Sequence, residues 1–473
     1  MKTPEQNNRT SNSPTAPGGR LPTAPRSVSR GRTSAGRRSV FLKLAGLAVL
    51  TAFLAIGCRH PVGIFASLEE EIPVDEDRGV PTTDGMRAML AVDTDDNGGY
   101  FYAAFTSLYV RERSEGLAVD ADSPDNDWSR ISKPGGLSAD DVLQSIAEHE
   151  INGENRVFAV YGGGNSGSLY HRATGDDTSS GAWSDAISVN EIASDTSDEG
   201  SPEKVSKVFS ANGELIVSVR IKSNSDKSDS YAVYRPVDAN EPDGNWERIM
   251  IEEGETDGEV GFVYDFEYFD ANNGNGDYYL ATFRNILKSD DDLSSGGFED
   301  EVHSGSGPYR NLLAADISGT DTLFAAAKGV IFSTDSAPAE TGDWASAEIS
   351  GEDDVQFTAI GYYPGSDFEG SDPGAYLIAG TQDNGLYEAE ADTTGGYNFR
   401  EEGAERTLLG RKGNFLTTRL SGRGIQAIFV DNDAGTWRSE GPHVFVGAAT
   451  AGLWRGEVDE DDDLAGKFLW RRE

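Results

Sequence analysis

The chain has 473 residues, carries 40 Lys and Arg against 81 Asp and Glu, and has a formal net charge of −41 at pH 7. Because so acidic a chain lacks the basic stripe that phosphate binding requires, we expect no nucleic-acid partner. A single cysteine excludes an intrachain disulfide and a cysteine-based zinc site.

The charge is unevenly distributed along the chain. Residues 1–57 contain nine basic residues and one acidic residue, which leaves 31 basic and 80 acidic residues for the remaining 416. This asymmetry indicates a boundary near residue 57. Beyond it the acidic residues are dispersed among apolar and aromatic ones, which favours a folded domain with a strongly hydrated surface over an acidic disordered tail.

The N-terminal 58 residues divide into two segments. Residues 1–36 are rich in Ser, Thr, Pro, Gly and Arg, so we expect a disordered basic region. Residues 37–58, RRSVFLKLAGLAVLTAFLAIGC, have a basic start, an apolar middle and a small-residue end, as secretory signals do. The apolar run Leu44–Gly57 is short for a membrane span of about 20 residues, so a transmembrane helix is the second interpretation.

The motif LAIGC, which ends at Cys58, resembles the lipobox of bacterial lipoproteins, although Ala55 stands where Leu is usual. The resemblance implies that Cys58 is lipidated and becomes the new N-terminus. Arg37 and Arg38 form a pair similar to that of a twin-arginine export signal, and general secretory export remains open. A lipid anchor would hold the protein outside the cytoplasm, on the inner or outer membrane, with residues 59–86 as a tether.

Residues 87–473 contain seven similar units. Each has an alternating run, an apolar strand, a tight turn and a second strand, followed by an aromatic residue in a polar, Gly-rich setting. The strand–turn–strand segments begin at Gly98, Asn155, Gly213, Gly276, Asp321, Gly374 and Pro442. The aromatic residues are Trp128, Trp183, Trp246, Phe298, Trp344, Phe399 and Trp470.

This repeat predicts an all-β fold, a seven-bladed β-propeller of four-stranded antiparallel blades, with six or eight blades left open. One four-stranded sheet cannot cover its own apolar faces, so blades pack face to face in a ring. A solenoid is the competing repeat architecture, but it needs polar caps and usually has shorter periods. The segment that starts at Ser67 could supply a ring-closing strand.

Two units resemble the Asp-box of sialidase-type and sortilin-type propellers, in stretched form. The segments are SDDDLSSGGF and STDSAPAETGDW. The resemblance implies that an Asp braces the hairpin turn and that an aromatic residue packs between blades. The matching positions are Ser289, Asp290, Gly297 and Phe298 in the first segment, and Ser333, Asp335, Gly342 and Trp344 in the second.

The sequence predicts no catalytic residue, cofactor or metal site. A sialidase requires an arginine cluster and a Tyr–Glu nucleophile pair, and nothing in the sequence groups three of the arginines near strands. Those arginines are Arg220, Arg284, Arg310, Arg419 and Arg423. The histidines share no metal-ligand spacing, so we expect each at the surface or in a turn. They are His60, His149, His171, His303 and His443.

The segment DTDDNGG, from Asp93, matches the first half of a calcium-binding loop through Asp93, Asp95, Asn97 and Gly98. The Glu that such loops need at position twelve is replaced by Ala104. Asp and Asn followed by Gly are also typical of hairpin turns, which is the interpretation we favour. Whether the loop binds calcium stays open.

Taken together, the patterns indicate a membrane-anchored extracytoplasmic lipoprotein whose propeller is a binding or scaffold module for protein or glycan ligands. One alternative is a glycan hydrolase or lactonase, which predicts an acid of raised pKa beside Tyr or clustered Arg in the channel. Another is an envelope assembly factor, which predicts an exposed apolar patch or a free strand edge.

Overall fold

The chain divides into two units, Met1–Pro73 and Val74–Glu473, and the computed structural model describes parts of the second. The predictions for residues 1–83, including Arg37, Arg38, Cys58 and the segment from Ser67, lie outside the described residues. The structure describes residues 84–94, 98–113, 128–194, 200–223, 229–252, 262–271, 276–289, 293, 297–298, 300–317, 319–348, 355–364, 376–390, 420, 424–431, 443–449, 451–458 and 468–472.

The described strands form seven antiparallel sheets, each built from strands consecutive in the chain. Blade 1 contains β1 (Ala88–Thr94), β2 (Gly98–Ala104), β3 (Leu108–Glu112) and β4 (Ser129–Arg130). Blade 2 contains β5 (Val142–Ile151), β6 (Glu154–Gly162) and β7 (Ser168–Ala173). Blade 3 contains β8 (Gly200–Ala211), β9 (Glu214–Ser223), β10 (Ser230–Pro236) and β11 (Trp246–Glu252).

The remaining four blades follow the same order. Blade 4 contains β12 (Val263–Phe269), β13 (Asp277–Thr282), β14 (Asn285–Ser289) and β15 (Asp300–Ser304). Blade 5 contains β16 (Asn311–Ile317), β17 (Thr320–Ala326), β18 (Val330–Thr334) and β19 (Ala345–Glu348). Blade 6 contains β20 (Phe357–Tyr363), β21 (Tyr376–Thr381) and β22 (Leu386–Glu390). Blade 7 contains β23 (Ile425–Asp431), β24 (His443–Ala448), β25 (Gly452–Val458) and β26 (Phe468–Arg472).

The seven-bladed all-β prediction is confirmed, and five blades have four strands in the described residues. In blade 2 the fourth segment makes two isolated bridges, Leu169 with Ile187 and Arg172 with Trp183, instead of a ladder. The chain there passes through a 3₁₀ turn (Ser180–Ala182) and into the four-residue helix α1 (Val189–Ile192), so it cannot stay extended.

The first strands of the blades form the inner wall of a ring, since each contacts the first strand of the next blade and β23 contacts β1. All four strands of blade 7 come from the C-terminal part of the chain. Its second strand approaches blade 1 closely: a Cβ added to Gly447 would lie 2.4 Å from Cβ of Met86. The described residues therefore close the ring by packing of one blade against another.

Within the described residues the core consists of seven apolar clusters, one between each pair of adjacent blades. Five of the seven repeated aromatic residues belong to these clusters and are less than 10% exposed: Trp128, Trp183, Trp246, Phe298 and Trp344. Phe399 and the side chain of Trp470 lie outside the described part of the chain. Indole N–H groups donate to backbone carbonyls, for example Trp183 to Ser132 O (2.8 Å) and Trp344 to Val302 O (3.2 Å). Side chains on alternate strand positions thus fill the spaces that neighbouring sheets leave.

Candidate ligand site at the channel mouth

Five of the seven innermost strands share an irregularity. In β5, β8, β12, β20 and β23 the register with the second strand skips one residue, which is a β-bulge. A bulge re-aims the side chain of the extra residue, and bulges are common at barrel rims and beside binding sites. The extra residues are Gln144, Ser206, Tyr264, Thr358 and Gln426.

The two remaining innermost strands have an arginine at the equivalent place. Arg87 precedes β1 and Arg310 precedes β16, and their backbone N–H groups donate to Ala104 O (2.7 Å) and Ala326 O (2.9 Å). All seven blades therefore place a polar side chain at the same level of the ring. We call this level the channel mouth; it is formed by Arg87, Gln144, Ser206, Tyr264, Arg310, Thr358 and Gln426.

In some blades the residue after the mouth residue ties neighbouring blades together. In three blades its side chain accepts a hydrogen bond from a backbone N–H of the next blade's innermost strand. The bonds run from Val208 N to Ser145 Oγ (2.8 Å), from Leu312 N to Asp265 Oδ2 (2.8 Å) and from Ile360 N to Asn311 Oδ1 (2.7 Å). These bonds satisfy backbone donors in the inner wall and hold the mouth residues in fixed positions.

Six of the seven mouth residues line a cavity of about 300 Å³, which is small but within the range of small-molecule sites, roughly 300–1,000 Å³. The lining carries three cationic side chains, Arg87, Lys207 and Arg310, and one carboxylate, Asp265. This excess of positive charge contrasts with a chain whose net charge is −41. An anionic group in this cavity would meet positive charge with little screening by water.

Two of the cations flank the ring of Tyr264. The Lys207 ammonium nitrogen lies 5.5 Å from the ring centroid, and the Arg310 guanidinium carbon lies 5.3 Å from it. Lys207 Nζ also donates to Tyr264 O at 2.7 Å. Burial lowers the pKa of Lys207 to about 8, so the ammonium is charged at pH 7 and loses its proton as the pH passes 8. The aromatic ring holds both cations beside the cavity.

Asp265 is the lining carboxyl group, and its oxygens already accept hydrogen bonds from the wall. Oδ2 accepts from Leu312 N and from Asn311 Nδ2, while Oδ1 accepts from Phe266 N at 3.0 Å. Burial raises the pKa of this carboxyl group, and those donors together with Lys207 oppose the rise. Asp265 therefore acts as a structural acceptor between blades.

Beyond the mouth, the wall carries acids of raised pKa. Burial, followed by the charge of Asp93, raises the pKa of Glu148 to about 7. Burial, followed by the charge of Asp265, raises the pKa of Glu267 to about 8. Glu148 lines a second cavity, of about 510 Å³, between blades 1, 2, 3 and 4. The wall thus carries cations at the channel mouth and, further in, carboxyl groups that hold their protons more tightly than usual.

A buried ion pair joins the last blade to the first. Arg113, 3% exposed, follows β3, and its Nη2 lies 2.7 Å from Oδ1 of Asp431, 2% exposed, at the end of β23. Its Nη1 pairs with Asp93. Asp93 therefore serves an ion pair, and the predicted hairpin at this point is confirmed by the pairing of Thr94 with Gly98. Residues 95–97 of that loop lie outside the described residues.

The predicted arginines have different fates. Arg310 lines the mouth cavity, whereas Arg220, in β9, pairs with Asp229 and Glu203. Arg284 lies in the β13–β14 turn, where its N–H donates to Thr282 Oγ1 at 3.1 Å. Arg419 and Arg423 lie outside the described residues. Sequence reasoning missed Arg87 and Lys207, although superposing the seven alternating runs would have aligned Arg87 with Arg310.

The expectation that the histidines are surface or turn residues is wrong for three of them. His149, His171 and His303 are 4%, 6% and 2% exposed. Each lies in a strand that packs on a neighbouring blade or connection: His149 Nε2 bonds Ala239 O (3.1 Å), and His303 Nδ1 bonds Tyr309 Oη (2.7 Å). Burial lowers the pKa of all three. His60 lies outside the described residues, and His443 begins β24.

The Asp-box resemblance fits the structure in its aromatic positions. Phe298 is buried between blades 3 and 4, and Trp344 is buried between blades 4 and 5. In the connection to β19, however, the carboxylate that accepts backbone N–H groups belongs to Asp343, which bonds Ala339 N (2.8 Å) and Glu340 N (3.1 Å), and Asp335 is exposed. Asp290 lies outside the described residues, and the Asp-box assignment stays a prediction.

No group of three or more His, Cys, Asp or Glu in the described part of the chain is placed to hold a metal ion. No helix among the same residues is long and apolar enough to cross a membrane.

No protein-family model and no curated protein sequence matches this chain. Among solved structures, it is similar to the periplasmic gluconolactonase of Pseudomonas aeruginosa, at 14% identity and a TM-score of 0.41, over 81% of this chain and 95% of that one. The sialidase of Trypanosoma rangeli gives 11% identity and a TM-score of 0.39, over 64% of this chain and 53% of that one.

The extracellular domain assigned to a hybrid two-component system of B. thetaiotaomicron gives 13% identity and a TM-score of 0.37, over 78% of this chain and 38% of that one. The chain thus spans well under two thirds of the length of this domain and of the sialidase. At these TM-scores the likenesses carry no argument about ligand or activity, and the strand topology establishes the seven-bladed propeller.

Proposed function

We propose that this protein is a membrane-anchored, extracytoplasmic binding module that takes a negatively charged ligand at the channel mouth. The observation that carries the proposal is the convergence of Arg87, Lys207 and Arg310 on one cavity of a strongly acidic chain. Blades 1, 3 and 5 supply these cations, so the ring brings together residues that are far apart in the sequence. Charge-assisted hydrogen bonds to such groups are about twice as strong as neutral ones.

The alternatives from the sequence find less support. A hydrolase needs a carboxyl group that reaches the substrate. Asp265 has a raised pKa and lines the same cavity as Tyr264 and Arg310. Its oxygens, however, already accept hydrogen bonds from Asn311, Leu312 and Phe266. An assembly factor needs an exposed apolar patch or a free strand edge. The last strand of the blade 2 sheet, β7, is bridged by Trp183 and Ile187. In the described part of the chain, the large apolar side chains that are exposed are Val237 and Phe262.

The proposed location rests on the N-terminal sequence. Residues 1–36 would form a leader, residues 37–58 the export and lipidation signal, and residues 59–86 a tether to the propeller. Two acyl chains on Cys58 suffice for stable anchoring, at about 0.8 kcal/mol per buried CH₂ group. The strongly acidic remainder would stay hydrated outside the membrane.

The ligand proposal is tested by calorimetric titration of the full-length protein in detergent with three probes: tetragalacturonate, tetraglutamate and maltotetraose. We expect the two anionic probes to bind and the neutral one to bind at least tenfold more weakly. Lys207→Gln and Arg310→Gln should each weaken anion binding about tenfold, since a charged hydrogen bond contributes about 1.5–3 kcal/mol. Arg130→Gln, which removes an exposed charge from the outer strand of blade 1, is the matched control.

Equal binding of maltotetraose, or an equal effect of Arg130→Gln, would overturn the proposal. The anchor is tested separately by metabolic labelling with a fatty acid. Label should be lost in Cys58→Ala and retained in Ser39→Ala, which alters the same signal segment; label retained in Cys58→Ala contradicts lipidation at this residue.

A further inference from the structure

Three aromatic side chains form a path from the surface to the channel mouth, between blades 3 and 4. The Phe262 ring centroid lies 5.0 Å from that of Tyr231 and 6.0 Å from that of Tyr264. Phe262 is 40% exposed, whereas Tyr231 is 3% exposed and supports it from the side of blade 3. Phe262 O accepts from Phe283 N at 2.9 Å, which fixes the backbone. The result is an exposed aromatic surface beside a cationic cavity.

Fixed polar groups border this path on blade 3. Arg220 Nε lies 2.9 Å from Asp229 Oδ2 and 3.1 Å from Glu203 Oε2. Glu203 is the extra residue of another bulge in β8, between Pro202 and Lys204. The side chains of Arg220 and Asp229 are 28% and 22% exposed, so ligand hydroxyl groups can reach them, whereas Glu203, at 11%, holds Arg220 in place.

Tyr231 adds a hydroxyl group to this border. It pairs with Arg220 across β9 and β10. Burial raises the pKa of Tyr231 to about 12, so its hydroxyl stays protonated at neutral pH. The path therefore combines a flat apolar face, planar hydrogen-bonding groups and, at its inner end, the cations Lys207 and Arg310 beside Tyr264.

We propose that the ligand is a carboxylate-bearing saccharide, with one sugar ring stacked on Phe262 and its acidic group directed to Lys207 and Arg310. This inference rests on the proposed function and specifies its ligand. A pyranose ring has an apolar C–H face that packs on an aromatic ring, while its hydroxyl groups bond carboxylate and guanidinium groups. Sites of this kind combine aromatic lining with a few fixed polar groups.

A flexible acidic peptide is the competing occupant, because it also satisfies the cations. It lacks a rigid C–H face, so it would gain little from Phe262. The two ligand classes therefore differ in their dependence on the aromatic ring and share their dependence on the cations.

The test compares tetragalacturonate, which has rings and carboxylates, with tetraglutamate, which has carboxylates alone, in calorimetric titrations of the full-length protein. Phe262→Leu removes the ring and keeps an apolar side chain. We expect it to weaken tetragalacturonate binding about tenfold and leave tetraglutamate binding unchanged. Val237→Ala, at the other large apolar side chain that is exposed among the described residues (61%), is the matched control and should change neither. Phe262→Leu should keep the melting temperature of the native protein, because the side chain is exposed.

The outcomes separate the two proposals. The saccharide inference fails if both anionic probes bind equally, or if Phe262→Leu leaves the affinity for tetragalacturonate intact. In either case the anion site stands if Arg310→Gln weakens the binding of both probes. If neither anionic probe binds, the proposed function fails as well. Tighter binding of tetragalacturonate that depends on both Phe262 and Arg310 supports the inference.

Discussion

Glu267 offers a direct test of the electrostatics of the inner wall. It lies in β12, and its carboxyl group interacts with the backbone of Ala314 in the next blade and accepts from Tyr268 N at 3.2 Å. Burial, with a further contribution from Asp265, raises its pKa from 4.5 to about 8. The folded protein therefore keeps a proton on Glu267 at neutral pH that the unfolded chain releases.

This difference makes stability depend on pH in a defined direction. Between pH 5 and pH 8 the unfolded chain has lost the proton and the folded chain retains it, so the contribution of Glu267 to stability falls as the pH rises. Each pKa unit corresponds to about 1.4 kcal/mol, so the loss across this window is about 4 kcal/mol as an upper limit. Glu267→Gln keeps a neutral carbonyl oxygen as acceptor and cannot ionise, so it escapes this loss.

The free energy of unfolding is measured by urea denaturation of the native protein and of Glu267→Gln at pH 5, 6.5 and 8. We expect the stability of the variant relative to the native protein to rise steadily with pH, becoming clearly favourable at pH 8. Glu150→Gln, at an exposed carboxylate of β5, is the control and should show no such trend. A constant difference between pH 5 and pH 8 would refute the raised pKa and the reasoning from burial.

Further expected outcomes concern the ring and the mouth. Arg113→Ala should lower the free energy of unfolding, measured by urea denaturation, by about 3–5 kcal/mol, because it leaves the charge of Asp431 buried. The double variant Arg113→Met, Asp431→Leu should recover part of this loss, and no recovery would contradict a charge effect. Ser145→Ala should lower the free energy of unfolding by about 1–3 kcal/mol, because it leaves the Val208 N–H without its acceptor. A loss below about 0.5 kcal/mol, the usual size of the effect of a surface substitution, would contradict the hydrogen bond. The affinity for tetragalacturonate should fall about tenfold between pH 7 and pH 9, because Lys207 loses its proton in this range. Lys207→Gln should reduce this pH dependence, and an equal pH dependence in the variant would exclude Lys207 as its source.

Local pattern was sufficient to predict the blades. Strands of period two, Gly-rich turns and an aromatic residue after each pair recur in every unit, and each observed blade follows that order. Trp183, Trp246 and Trp344 are buried between blades because a large apolar side chain in a repeated polar setting has no other place to pack. The buried histidines were missed, since a single polar residue in a strand carries no local sign of which neighbour will cover it.

The amino-acid sequence by itself determined the class of fold and indicated seven blades, because these depend on periodicity and composition within short windows. It also predicts a lipidation site at Cys58, which lies outside the described residues. Only the tertiary structure decided which polar residues meet. Arg87, Lys207 and Arg310 lie more than 100 residues apart from one to the next, and they converge because closure of the ring brings the innermost strands of blades 1, 3 and 5 around one cavity. Such convergence depends on long-range geometry, which no local pattern encodes.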